Sequence, residues 1–332
     1  MSSVLDLIQP FFPRAAVTPS GWRSFNAVCC HHRGQRADTR KRGGIYMSTG
    51  FTYNCFNCGF SSTWLPGRPI SNKMRSLLNW MGVPDDVIKK VILQALKTPA
   101  SEAPITLQYD APRFEHKDLP ELSNTIYNWV NNSDISAKQE LQLSEVIAYM
   151  MKRGLDPLSD YYYWSPKSGM ASRFIIPFKY AGDTVGWTSR STGQSRPKYI
   201  SDQPQHFIFN LDTVTDQQRY LFVVEGPLDA IAINGVALLH NDISDTQHRM
   251  IESLHKEVIV IPDRDSSGIH LINRALEFNW AVAFPTWEDN IKDASDAVHE
   301  YGQLFVTVDA IKTAVSGTIK INLLKRQYLE NK

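Results

Sequence analysis

The chain has 332 residues, of which 42% are hydrophobic and 21% charged, with a formal net charge of +1. That length admits about two compact domains of roughly 100–200 residues, and the hydrophobic content excludes a wholly unfolded chain. No stretch approaches the ~18 apolar residues of a membrane span, and residues 1–13 lack the charged start and apolar run of a signal peptide, so a cytoplasmic protein is expected.

Charge is unevenly spread. In residues 1–75, ten Lys or Arg face only Asp6 and Asp38, and such a basic end suits a polyanionic partner. The same segment holds all four cysteines, Cys29, Cys30, Cys55 and Cys58. Thiols in a reducing compartment bind metal more readily than they form disulfides. The pairs Cys29-x2-His32 and Cys55-x2-Cys58 have the spacing of a tetrahedral Zn2+ site, since each short loop aims two donors at one ion. Cys30 and His31 are then left pointing elsewhere, although a first knuckle made by Cys30 and His31 stays open. Gly59 suits the tight backbone of the second knuckle. Four protein ligands would make this zinc structural. Trp22, Phe25, Tyr46, Phe51, Tyr53, Phe56, Phe60 and Trp64 flank the basic run; most belong in a small core, and an exposed few could stack on bases.

Apolar spacing predicts helices over 72–81 and 84–97, with Pro84 at a helix start. Residues 98–118 read as a polar linker and 120–154 as helical. Short strands follow at 173–179, 184–189 and 199–200. From 219 onward strands and helices alternate: strands at 220–224, 236–239, 258–261 and 280–284, helices at 228–233, 244–253, 269–278 and 294–300. This alternation implies a mainly parallel sheet. A basic, helical tail is expected around 320–332.

The predicted strand 220–224 runs into Glu225, and 258–261 into Asp263 and Asp265. Ligands bind at the carboxyl ends of parallel strands. If the second strand continues, Asp263 and Asp265 face one side, and adjacent strands would bring them to Glu225. Crowded carboxylates repel unless a cation sits between them, and hard oxygens select Mg2+ or Mn2+. Asp293 could complete the set, with Asp296 one helical turn on.

These residues resemble a known family. Val223-Val224-Glu225-Gly226-Pro227-Leu228-Asp229 and Ile261-Pro262-Asp263-Arg264-Asp265 look like the two motifs of a TOPRIM domain. Tyr53-Asn54-Cys55-Phe56-Asn57-Cys58-Gly59 is similar to half of a primase zinc ribbon. The segments 173–178, 186–190 and 197–200 resemble the subdomain that precedes TOPRIM in the primase polymerase core. The whole is similar to bacterial- and phage-type DNA primases, most of all the compact stand-alone phage enzymes.

The resemblance implies an α/β fold divided into a zinc ribbon (1–68), a helical linker (69–118), the first part of the polymerase core (119–218), a Rossmann-like TOPRIM subdomain (219–310) and a basic tail (311–332). It implies short RNA primers made from ribonucleoside triphosphates on single-stranded DNA, with structural Zn2+ and catalytic Mg2+ or Mn2+. Glu225 would be the acid-base or metal-linked carboxylate at the 3′-hydroxyl, Asp263, Asp265 and Asp293 would hold metal with it, and Arg173, Arg190 and Lys198 would bind template or triphosphate. A replicative helicase and a single-strand-binding protein are the implied partners, and the host cytoplasm the location if the source is viral. A zinc-ribbon TOPRIM nuclease and a non-catalytic single-strand-binding adaptor are the competing readings. The absence of a GxxxxGK[ST] loop argues against an ATPase within this chain.

Overall fold

The structure is a computed structural model that describes residues 3–18, 21–47, 50–58, 60–98, 112–193, 196–215, 217–239, 243–254, 256–265, 268–278 and 280–330. The chain divides into two compact units, residues 1–110 with 248–257 and residues 111–247 with 258–332. Among the described residues no helix is long and apolar enough to cross a membrane.

The first unit is built on an antiparallel sheet whose strands Ala16–Val17, Arg23–Phe25, Gly43–Met47, Phe51–Cys55 and Ser61–Trp64 pair in chain order. A side chain at Gly43 would lie 2.7 Å from the Ala27 Cα, so only glycine lets this strand pass the preceding loop. Phe25, Ile45, Phe51, Tyr53, Phe60 and Trp64 are buried in one core. Phe56 is the exception among the ribbon aromatics, 75% exposed.

Helices Asn72–Trp80 and Asp85–Lys97 lie where the apolar spacing puts them. Ser71 caps the first, accepting from the Met74 amide at 3.1 Å. Asp85 and Asp86 in the first turn and Lys97 in the last suit the dipole of the second. Their buried residues Met74, Leu77, Leu78, Ile88, Val91 and Ala95 join the core of the sheet. The expected linker at 69–118 is therefore corrected over 69–97: those residues complete a core too small to stand on the ribbon alone. Residues 99–111 lie outside the described residues.

One buried acid holds the basic loop of this unit. Asp38 accepts from the amides of Ala27 (2.8 Å), Arg40 (2.9 Å) and Arg42 (2.7 Å), and from the Arg42 Nε at 3.2 Å. Burial alone would raise this carboxyl, but the amides and the guanidinium outweigh it and hold it at about 2.

The second unit contains two sheets. The antiparallel one runs Tyr199–Asp202, Asp183–Ser191, Arg173–Tyr180, Tyr163–Trp164, Asn124–Thr125. The other runs Val236–Ala237, Tyr220–Val224, Glu257–Val260, Ala281–Ala283, Ala314–Val315. It is mainly parallel, with Ala314–Val315 antiparallel at its edge. The α/β fold with a mainly parallel sheet is thus as expected. Phe174, Ile176 and Phe178 share a core with Phe222, Val224 and Leu228, which fixes the two sheets to each other.

Two expectations for this unit need correction. The 120–154 segment is not one helical stretch but a short strand followed by helices Ile126–Val130 and Ala137–Lys152. The helix expected around 320–332 is present, but the 311–332 segment is packed into the fold rather than appended to it as a tail. Helix Gln303–Thr313 leads into the edge strand Ala314–Val315, and helix Thr318–Glu330 buries Ile321.

Asp38→Ala would strand three backbone amides. It is expected to destabilise the full chain by about 3 kcal/mol, measured by denaturant unfolding, whereas Asp6→Ala on the exposed N-terminal turn should shift stability far less.

Candidate functional site

Four sulfurs converge in the first unit. The Sγ atoms of Cys29, Cys30, Cys55 and Cys58 all lie within 4.8 Å of one another. Cys29 and Cys58 are 3.3 Å apart, and Cys30 and Cys55 3.6 Å apart. A Zn2+ bound at ~2.3 Å by four thiolates sets sulfurs about 3.8 Å apart, so the set fits such an ion.

The surroundings favour thiolate. The amides of Asn57 and Cys58 point at the Cys55 Sγ at 3.4 and 3.5 Å, and the Asn57 side-chain amide at the Cys30 Sγ at 3.2 Å. The Tyr53 hydroxyl lies 3.1 Å from the Cys29 Sγ. Hydrogen bonds from Cys29 and Cys55 pull the Cys58 thiol down to about 3, while those with Cys55 and Cys58 push Cys29 far up. A divalent cation removes that conflict by taking the place of the shared protons.

His32 does not belong to this set, and Cys30 takes its place. Cys30 opens a single turn, His31–Arg33, so that Cys29 and Cys30 point inward while both histidines are turned out. The His32 ring instead stacks on Trp80 at 5.0 Å and 6°. Gly59 lies outside the described residues.

In the second unit the acids meet at the carboxyl ends of neighbouring strands. Glu225 directly follows Tyr220–Val224. The Ile261 amide donates to the Val223 carbonyl at 3.0 Å, so Glu225 and Asp263 leave the sheet side by side. Burial, then Glu225, Asp293 and Asp265, push the Asp263 carboxyl up to about 8. Asp229, in the first turn of the next helix, is buried and also raised, by burial and then by Asp293 and Asp263. Its Oδ1 accepts from the Ser295 amide at 2.9 Å. A side chain at Gly268 would lie 2.1 Å from the Asp263 carbonyl, which is why glycine begins the following helix.

The strand does not continue through Asp263 and Asp265, because it ends at Val260. Asp265 sits in a bend and pairs with the Lys292 ammonium at 2.6 Å. Asp293 caps the helix Ala294–Tyr301 by accepting from the Asp296 amide at 2.8 Å. Among the described residues the four cysteines are the one set of three or more acids, histidines or cysteines with ligand atoms within 4.8 Å of each other. The carboxylates are thus coupled through charge rather than closed into a cage. Hard oxygens under mutual repulsion, with Lys292 paired to Asp265, are the donor chemistry of a divalent cation.

Basic groups of the antiparallel sheet face the same rim. Arg190 is only 7% exposed; its Nε donates to the Tyr149 hydroxyl at 3.1 Å and it hydrogen-bonds and overlies Tyr199. Lys198 is largely exposed; partial loss of solvent, then Arg190, Arg153 and Lys292, lowers its affinity for a proton. Tyr199 in turn feels the charge of Asp229. Arg173 differs from its expected role as a phosphate ligand. It is 3% exposed and donates to the carbonyls of Pro197 (2.6 Å) and Lys198 (3.3 Å), so it shapes the loop that presents Lys198. Arg153, Lys292, Tyr149 and Asp229 were missed as site residues. Lys292 and Asp229 adjoin the acidic motifs and could have been found there; Arg153 and Tyr149 carry no local signal.

Cys30→Ser should release the zinc and His32→Ala should retain it, as read by elemental analysis of the purified chain. The raised Asp263 carboxyl gives a pH dependence with a definite sign. Between about pH 4 and about 8 the folded group keeps a proton that the unfolded one (~3.9) has lost, so stability falls as pH rises through that window. Thermal unfolding with zinc bound but without Mg2+ or Mn2+ should show this slope. Asp263→Asn should flatten it.

No protein-family model matches the chain. A DNA primase of Enterococcus faecalis is 28% identical over 105 residues, 27% of this chain. The match spans 17% of that primase, about a sixth of its length. Among solved structures, the zinc-binding and RNA polymerase domains of the Aquifex aeolicus primase align with a TM-score of 0.42 at 15% identity, over 100% of this chain and 90% of that one. The DnaG primase catalytic domain bound to single-stranded DNA gives 0.42 at 17% identity, over 58% and 79%. The primase fragment of the bacteriophage T7 primase-helicase gives 0.36 at 13%, over 82% and 95%. The curated similarity agrees with the resemblance read from the motifs: in part of its length the chain is similar to a bacterial-type DNA primase.

Proposed function

We propose that the chain is a DNA primase, joining ribonucleotides into short RNA primers on single-stranded DNA. The observation that carries this reading is the half-buried Asp263, crowded by Glu225, Asp293 and Asp265 at the end of a parallel strand, with the charge of Lys292 opposing them. Glu225, Asp263, Asp265 and Asp293 would hold Mg2+ or Mn2+, with Lys292 giving up its pairing to Asp265. A bound ion of this kind supplies charge stabilisation for the attacking and leaving oxygens of phosphoryl transfer.

The chain's own residues then have separate tasks. Glu225 stands at the strand end to accept the proton of the attacking 3′-hydroxyl. Lys198 and Arg190 offset the negative charge of the triphosphate. Tyr149 and Tyr199 keep the Arg190 guanidinium in place. Arg173 is a positioning residue for Lys198. In the first unit, zinc on Cys29, Cys30, Cys55 and Cys58 would hold the ribbon. The exposed Phe56 beside Arg42 offers a stacking face for a template base, with Arg36, Arg40 and Lys41 for the backbone. A replicative helicase and a single-strand-binding protein are partners consistent with this activity, and the cytoplasm its location.

The purified chain, given single-stranded DNA, ribonucleoside triphosphates and Mg2+, should make short RNA. Asp263→Ala should abolish product while DNA binding persists, and Lys198→Ala should lower turnover about 100-fold. Shortening of the DNA would favour a nuclease; DNA binding with neither reaction would favour an adaptor.

A further inference from the structure

Between the two motif acids sits a residue that the reaction does not use. The Arg264 guanidinium donates to the carbonyls of Trp287 (2.9 Å), Glu288 (2.7 Å), Ile291 (3.4 Å) and Pro285 (3.3 Å). Its amide donates to the Lys292 carbonyl at 2.9 Å. One side chain therefore ties the Asp263–Asp265 bend to the loop that ends in Lys292 and Asp293.

That guanidinium is covered in turn by the helix Thr318–Glu330. The Tyr328 ring lies 5.4 Å from the Arg264 Cζ and meets Phe284 edge-on at 5.5 Å. Its hydroxyl donates to the Pro262 carbonyl at 3.3 Å, directly before Asp263. The helix is pinned by buried Ile321 and by Lys325, which donates to the Asn273 Oδ1 at 2.6 Å. Burial pushes the Tyr328 hydroxyl up to about 12, with Arg264 opposing and Asp263 and Asp265 adding, which places the ring within reach of both acids' charge.

The geometry points to Tyr328 as a positioning residue of the cation site: through Arg264 and Pro262, the helix Thr318–Glu330 sets the distance between Asp263, Asp265 and Asp293. This rests on the reading of the acidic rim as a divalent-cation site. A shell of this kind tunes affinity because it decides where the carboxylate oxygens can stand before the ion arrives. A cation–π contact with a partly desolvated guanidinium is strong enough to hold such a clamp.

Mn2+ titration of the full, zinc-loaded chain, read by the electron paramagnetic resonance of free Mn2+, tests the inference. Tyr328→Leu keeps apolar bulk but loses the ring and the hydroxyl; it should weaken Mn2+ binding about 10-fold. Tyr328→Phe, which keeps the ring, should restore most of it. Binding of single-stranded DNA without Mn2+ and zinc content should not change. Arg264→Lys keeps the charge but cannot span four carbonyls, and should reproduce the loss if Tyr328→Leu fails to fold. Wild-type Mn2+ affinity in both Tyr328→Leu and Arg264→Lys, or in Arg264→Lys alone where the leucine variant does not fold, would overturn the inference and leave the proposed function standing. A wild-type chain that binds no Mn2+ would instead remove the cation site itself, and the inference with it.

Discussion

Like charges held together at the end of a parallel sheet are the constraint around which the second unit is organised. Two neighbouring strands release Glu225 and Asp263 side by side, and burial together with the nearby acids raises the cost of ionising Asp263. The surrounding residues read as responses to that cost. Lys292 is drawn to Asp265, the Ser295 amide to Asp229, and the start of a helix to Asp293. Gly268 lets the next helix begin against the Asp263 carbonyl. Such an arrangement gives up stability in the metal-free protein, which is the common bargain of sites that must receive a cation and a polyanion.

The thiol site of the first unit solves a related problem with soft ligands. Adjacent Cys29 and Cys30 reach one point because a turn begins between them, and Cys55 reaches it from a strand end. Amide donors from Asn57 and Cys58 and the Tyr53 hydroxyl surround the sulfurs, as is usual where a metal's ligands must be oriented. The sheet and the helices over 72–97 then supply the apolar core that a bare ribbon lacks.

Much of this was legible in the sequence where local pattern and packing agree. Tyr220–Val224 is a run of apolar residues cut off by Glu225, and its limits coincide with expectation because the run is short, aromatic and β-branched, as a strand buried on both faces is. Helix Gln303–Thr313 was missed because it displays Leu304, Phe305 and Val308 outward, which blurs the one-sided pattern that marks a helix. The repeated x2 spacing points to His32 rather than Cys30; the turn at Cys30 is a backbone choice that spacing alone does not encode. Arg173 looked like a phosphate ligand by its motif, yet its guanidinium is consumed by the carbonyls of Pro197 and Lys198. The pairing of Tyr328 with Arg264 joins residues distant in sequence and had no local sign at all.

The central claim is that Glu225, Asp263 and their neighbours share a divalent cation at the rim of the parallel sheet. Anomalous diffraction from crystals soaked in Mn2+, recorded near the manganese edge, addresses it directly. The account predicts a peak beside the carboxylates of Glu225 and Asp263, with Lys292 moved away from Asp265. A map with no manganese among these acids, and Lys292 still paired as before, would contradict it.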